Sequence, residues 1–323
     1  MIGTYSQPSP ENWTGRTSGK QAYLHEKVIL HNALDTSPSI FGEKVFALLG
    51  YACDEGVRRN FGRPGAVEGP NAIRSQLGKM SNHLPESNSL IDLGDLHCPD
   101  GNMEATQEAL DKQIQNILNK NAFPLLLGGG HDIAYGHYRG LRNYLGNQKR
   151  LGIINFDAHF DLRKNDNGNH SGTPFYQIAQ DAANQNITFD YLCLGIRKDA
   201  NTSELFDTAK TLGAQYISRA DFAIQKLVHV EQNIKTFLSG LDKVYVTIDL
   251  DGFSSAYAPG VSAASPLGFS PEIVMASLAV IIRSRKLMSL DLAEMNPAFD
   301  RDEQTAKLAA GMLHYCMHEL ALL

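Results

Sequence analysis

Short apolar runs and amphipathic stretches alternate along this chain from about residue 45 to its end. Runs of four or five apolar residues closed by glycine or charge read as buried strands. They begin near Val45, Leu90, Phe123, Leu151, Tyr191, Gln215, Val244 and Leu287. Between them the apolar positions fall at helical spacing. Leu110, Ile114, Ile117 and Leu118 stand at i, i+4, i+7 and i+8, and Leu227, Val228, Ile234 and Leu238 leave a similar stripe interrupted at Glu231. Ser270-Pro271-Glu272 supplies the N-cap, first-turn proline and early acid of a helix that runs to Ile282. A last helix is predicted from about Asp302 to Leu323. Strand and helix alternating this often predict an α/β fold with a mainly parallel sheet covered on both faces. Residues 1–40 form a polar lead-in, and no repeat or linker follows it, so residues 41–323 are predicted to be one domain.

What closes three of these runs carries chemistry. Phe123–Leu127 leads into Gly-Gly-Gly-His131-Asp132, Leu151–Ile154 into Asp157-Ala-His159-Phe-Asp161, and Val244–Ile248 into Asp249-Leu-Asp251. In open parallel sheets the carboxyl edge is where ligands bind. The three glycines are expected to free the chain to turn sharply and present His131. Asp157, His159 and Asp161, at i, i+2 and i+4, aim three side chains the same way from an extended segment, and Asp249 and Asp251 repeat the device. Two histidines and four aspartates at one edge concentrate too much negative charge to stand alone, which implies a pair of divalent cations. A mostly oxygen set with two imidazoles suits Mn²⁺ better than Zn²⁺, and the clusters lack the spacing of a calcium loop.

Bulk properties narrow the partners. The 323 residues are 43% hydrophobic and 20% charged, and the net charge of −6 comes with no Lys/Arg block. That balance speaks against nucleic acid or an anionic membrane as partner. Cys53, Cys98, Cys193 and Cys316 form no CxxC pair, and Cys193 sits inside a strand-like run, as a buried thiol of a reducing compartment would. With no signal-peptide pattern and no apolar stretch near about 18 residues, a cytoplasmic protein is expected.

At these motifs the chain resembles the ureohydrolase family, whose members include arginase, agmatinase and formimidoylglutamase. GGGHD, DAHFD, IDLDGF and EMNP occur in the family's order, between about Tyr51 and Ala309. The resemblance implies a three-layer α/β/α sandwich with a binuclear manganese centre, two Mn²⁺ per subunit. It makes His131, Asp157, His159, Asp161, Asp249 and Asp251 the metal ligands, with Asp157 and Asp249 bridging. Glu294 matches the acid that meets a substrate's cationic nitrogen group. Ser254-Ser255, where arginase has Asp-Pro, and the loop Asn169-His170-Ser171-Gly172 resemble the formimidoylglutamase branch, as do Asp54–Asn60 and Pro10–Arg16. The implied reaction is hydrolysis of N-formimidoyl-L-glutamate to L-glutamate and formamide by a metal-bridging hydroxide, a late step of histidine breakdown. A sister enzyme releasing urea from guanidinobutyrate or agmatine is the alternative. His170 is the expected general acid, and Arg163, then Arg59, Asn60, Ser171 and Arg197, the expected contacts to the small-molecule amidine. The sequence leaves a homo-oligomer open. His137, His314 and His318 read as packing residues.

Overall fold

All eight apolar runs are strands, and two further short strands come from the lead-in. The computed structural model describes residues 5–34 and 42–323; the expected boundary between residues 40 and 41 lies outside them. The strands are β1 (Tyr5–Ser6), β2 (Ile29–Leu30), β3 (Val45–Ala52), β4 (Ser89–His97), β5 (Phe123–Gly128), β6 (Leu151–Phe156), β7 (Asp190–Ile196), β8 (Gln215–Ser218), β9 (Lys243–Asp249) and β10 (Leu287–Ala293). The helices are α1 (Leu24–Lys27), α2 (Glu55–Arg59), α3 (Gly69–Leu77), α4 (Met103–Asn119), α5 (Ile133–Leu145), α6 (Pro174–Asn184), α7 (Ser203–Thr211), α8 (Leu227–Ser239), α9 (Pro271–Arg283) and α10 (Gln304–Ala321).

The strands form one sheet in the order β1-β4-β3-β5-β10-β9-β6-β7-β8, with β2 also on β4. All pairings are parallel except β1 with β4. Alternate residues of each strand serve opposite cores. Phe46, Leu48, Leu125 and Leu127 pack with residues of α3, α8, α9 and α10, whereas Ala47, Leu49 and Leu126 pack with residues of α4, α5, α6 and α7. A sheet buried on both sides takes mostly apolar residues on both faces of its strands, which is why most of these strands read as apolar runs. The result is the three-layer α/β/α sandwich that was expected.

The lead-in is tied into this domain. Tyr5 and Ser6 pair with Leu96 and Asp95, and Ile29 pairs with Ile91, all on β4. Trp13 is buried and its Nε1 donates to Asp92 Oδ2 at 2.8 Å. The same carboxylate lies 3.0 Å from Arg74 Nε, and Arg74 Nη1 donates to Asp95 Oδ1 at 2.6 Å. Arg74 is fully buried, so its two carboxylates and the Gly94 carbonyl, 2.9 Å from Nη2, hold its charge inside the protein. Gly94 stands at φ +81° beside a register shift in the β3–β4 ladder, the conformation a bulge takes most readily at glycine.

Candidate metal centre

Strand order assembles the site. β5 and β6 are consecutive in the chain but lie apart, with β10 and β9 inserted between them. Four neighbouring strand ends thereby deliver His131 after β5, Glu294 after β10, Asp249 and Asp251 at the end of β9, and Asp157, His159 and Asp161 after β6. The glycines before His131 act by size rather than by turning. None of the three has a positive φ. A Cβ on Gly128 would come within 2.3 Å of the Leu292 carbonyl, and one on Gly129 within 2.0 Å of the Cys53 carbonyl. Close backbone approach on both sides is what excludes larger residues here.

The ligand atoms fall into two groups, His131–Asp157–Asp161–Asp249 and Asp157–His159–Asp251. In the first, His131 Nδ1 lies 2.9 Å from Asp161 Oδ2, 3.0 Å from Asp249 Oδ2 and 3.3 Å from Asp157 Oδ2. In the second, His159 Nδ1 is 3.3 Å from both Asp157 Oδ1 and Asp251 Oδ1. Asp157 gives one oxygen to each group and so joins them. Asp249 belongs to the first group alone by this measure. Asp157 Oδ1 is steadied by the His159 N–H at 2.7 Å, and Asp249 Oδ1 by the Asp251 N–H at 2.8 Å. Asp161 holds a left-handed backbone at φ +47° and Glu294 one at φ +68°, a cost of about 1–3 kcal/mol each that sites of function characteristically carry.

Hydrogen-bond direction tests whether cations fit. Thr247 Oγ1 donates to Asp291 Oδ1 at 2.5 Å, so it must accept from His131 Nε2, 3.0 Å away. His131 therefore turns the lone pair of Nδ1 toward three carboxylates, and this buried nitrogen makes no hydrogen bond; nor does the buried Oδ1 of Asp251. Lone pairs facing lone pairs require a positive charge between them. Where no cation supplies it, protons do. Burial opposes charge on both imidazoles, yet Asp249 beside His131 and Asp251 beside His159 push them well above the ordinary histidine range. Burial, then Asp251 and Asp157, drives the Asp249 carboxyl up; burial also raises Asp157, but His131 and His159, when protonated, outweigh it and hold Asp157 low. The donor set fits two cations.

A cavity of about 210 Å³ opens over these groups, lined also by Glu294, Arg163, Asn60, Ser171 and Ser262. Glu294 is buried; burial, then Asp251, pushes its carboxyl up to about 8, and its Oε1 accepts from the His131 N–H at 2.9 Å. Arg163 Nη1 donates to Asn60 Oδ1 at 2.5 Å, and Asn60 Nδ2 to Ser171 Oγ at 3.1 Å. The remaining expected contacts lie elsewhere. Arg59 is committed to Glu55 at 2.9 Å, Glu104 at 2.6 Å and the Gly101 carbonyl at 2.9 Å, and is not among the cavity residues. Arg197 pairs with Asp199 at 2.5 Å, also outside the lining. His170 does not line the cavity; its Nδ1 accepts from the Gly172 N–H at 3.1 Å within its own loop, and burial followed by Arg163 lowers its pKa. Thr247 and Asp291 went unread in the sequence. Thr247, two residues before Asp249 on the same strand, shares the alternation that marks the aspartates, but it was absorbed in an apolar run.

A parallel sheet that gathers two imidazole–carboxylate groups around a shared aspartate at its carboxyl edge defines a binuclear-metal class of protein. The Arginase family model matches residues 44–318, and the chain belongs to the arginase family. Its particular relatives are formimidoylglutamases. That of Geobacillus thermodenitrificans is 43% identical over 98% of this chain and 97% of its own length, and that of Clostridium tetani 40% identical over 99% and 98%. The fold is shared with the formimidoylglutamase of Bacillus subtilis (TM-score 0.82, 21% identity, 96% of this chain and 95% of that one). It is shared also with the Trypanosoma cruzi formiminoglutamase solved with Mn²⁺ (TM-score 0.76, 23% identity, 86% and 93%).

Proposed function

We propose that the protein is a manganese-dependent hydrolase that converts N-formimidoyl-L-glutamate to L-glutamate and formamide. The observation that carries this reading is one cavity holding the two joined ligand groups, the buried carboxyl of Glu294 and the cation of Arg163. Relatives named formimidoylglutamase at 40–43% identity over nearly the whole chain support the substrate. His131, Asp157, Asp161 and Asp249 would hold one Mn²⁺, and Asp157, His159 and Asp251 the other. When bound, such a pair supplies a water of lowered pKa as nucleophile and neutralises charge that develops on the substrate.

The chain's own residues do the rest. Glu294, ionised against a cationic amidinium, orients the planar head through charge-assisted hydrogen bonds. Arg163, held at the wall by Asn60, takes a carboxylate of the glutamate tail. The reaction forms one C–O bond and breaks the C–N bond to the glutamate nitrogen, which leaves as an amine after gaining a proton. Free thiols at all four cysteines suit a reducing, cytoplasmic setting, and formimidoylglutamate places the reaction late in histidine degradation.

The test is a panel assay of the Mn²⁺-loaded protein on N-formimidoyl-L-glutamate, L-arginine, agmatine and 4-guanidinobutyrate. Formamide and glutamate in equal amounts are expected from the first, with little urea from the others. Urea release from a guanidine at a comparable kcat/KM would overturn the assignment.

A further inference from the structure

The ligand His131 is the last link of a buried chain of side chains whose far end lies outside the cavity. Beyond Thr247, Asp291 Oδ2 lies 2.6 Å from His137 Nδ1 and accepts the Tyr245 hydroxyl as well. His137 Nε2 lies 2.6 Å from Ser289 Oγ, whose own proton goes to the Pro124 carbonyl at 2.9 Å. His137, Tyr245, Thr247, Ser289 and Asp291 all have 0% exposure.

Counting protons along this chain fixes its charges. Ser289 has spent its single proton on Pro124, so His137 Nε2 must donate to it. Thr247 and Tyr245 both donate to Asp291, an arrangement that favours the carboxylate, so His137 Nδ1 donates too. A histidine that donates from both nitrogens carries a positive charge. We propose that His137 is the buried counter-ion of Asp291, and that this ion pair is a positioning device for the metal ligand His131. Asp291 as an anion takes the Thr247 proton, Thr247 is thereby an acceptor, and His131 must keep its proton on Nε2 and its lone pair on Nδ1. Without the charge on His137, Asp291 would be an isolated buried anion and would take up a proton instead. Thr247 would then be free to donate to His131 Nε2, and the His131 proton would move to Nδ1, facing the carboxylates. His137, six residues beyond the ligand in α5, reaches the site only through Asp291 and Thr247. The inference rests on the metal-centre reading given above.

Two measurements test it. In the full chain with ¹⁵N-labelled histidine, before Mn²⁺ is added, both ring nitrogens of His137 should carry protons; an unprotonated ring nitrogen would overturn the proposal. Calorimetric Mn²⁺ titration should find two ions in the parent protein and, in His137→Leu, one of them weakened about 10- to 100-fold, the usual effect of losing an outer partner of a metal ligand. The double variant His137→Leu/Asp291→Asn should recover most of that loss, because a neutral amide at position 291 needs no counter-ion and its carbonyl can still accept from Thr247. A purely packing role predicts no such rescue, so losses that simply add in the double variant, or unaltered affinities in His137→Leu, would refute it. If His137→Leu fails to fold, the nitrogen protonation and the comparison of His137→Gln with His137→Gln/Asp291→Asn decide the question. A parent protein that binds no Mn²⁺ would defeat the metal reading, while the protonation of His137 would still be judged separately.

Discussion

Arg163→Ala separates recognition of the substrate's tail from the chemistry at its head. Arg163 is the one arginine or lysine among the described residues lining the cavity, and a substrate with two carboxylates must place one of them against it. Truncating a desolvated charge pair costs about 2–5 kcal/mol, and an exposed pair contributes about 0.2–1 kcal/mol. Arg163 is itself exposed, but it would be covered in part by the bound substrate. The expected loss therefore lies between, at about 1–3 kcal/mol, which is roughly 5- to 150-fold in binding. It should appear in KM, with kcat changed less than about threefold, because the contact is made equally in ground and transition states. Arg163→Lys should recover part of it, since an ammonium reaches the carboxylate without the two-pronged geometry. The assay is steady-state kinetics at saturating Mn²⁺, with N-formimidoyl-4-aminobutyrate as a control that lacks the α-carboxylate. If Arg163 meets that carboxylate, parent and variant should turn over the control alike. A KM for N-formimidoyl-L-glutamate within twofold of the parent's, or a collapse of kcat at unchanged KM, would refute the role.

Other expected outcomes follow from the same geometry. Asp157→Ala should abolish activity and lower affinity for both Mn²⁺ ions, whereas Asp251→Ala should weaken one, as elemental analysis after gel filtration would reveal; two ions retained in Asp157→Ala would contradict the sharing. In metal-stripped protein, burial raises the Glu294 carboxyl from 4.5 to about 8 and that of Asp132 from 3.8 to about 7. The folded chain therefore binds more protons than the unfolded one from about pH 4 to 8. The stabilising contribution is complete below the unfolded values and is lost as pH rises through 7 to 8. Tm in EDTA should fall between pH 5.5 and 8.5, and a rise would refute the assignment of these groups. Arg74→Ala strands two buried carboxylates and should cost about 3–5 kcal/mol in urea unfolding, with activity in the surviving folded fraction unchanged; a loss below about 1 kcal/mol would mean the triad is solvated.

The strands and the six candidate ligands were legible in the chain because each lies in a local pattern. A strand covered on both faces is mostly apolar, and five of the candidate ligands follow such a strand within five residues while Asp249 closes one. Local pattern stops at the end of each segment. That β9 and β10 insert between β5 and β6, and so bring four strand ends to one cavity, is a property of strand order. The lead-in, polar by composition, is held by backbone pairing to β4 and by one buried tryptophan, neither of which has a period to detect. Arg59 and Arg197 carry the right charge for substrate, but their partners, Glu104 from α4 and Asp199 two residues on, bind them first. Thr247, Asp291 and His137 gain meaning only as a connected set, since a buried polar side chain is defined by the partner it meets, and those partners lie 44 and 154 residues apart in the chain. Residue type and spacing were enough to say which side chains can bind metal. Which lone pairs face one another was settled by folding, because hydrogen-bond direction depends on neighbours that only the assembled sheet supplies.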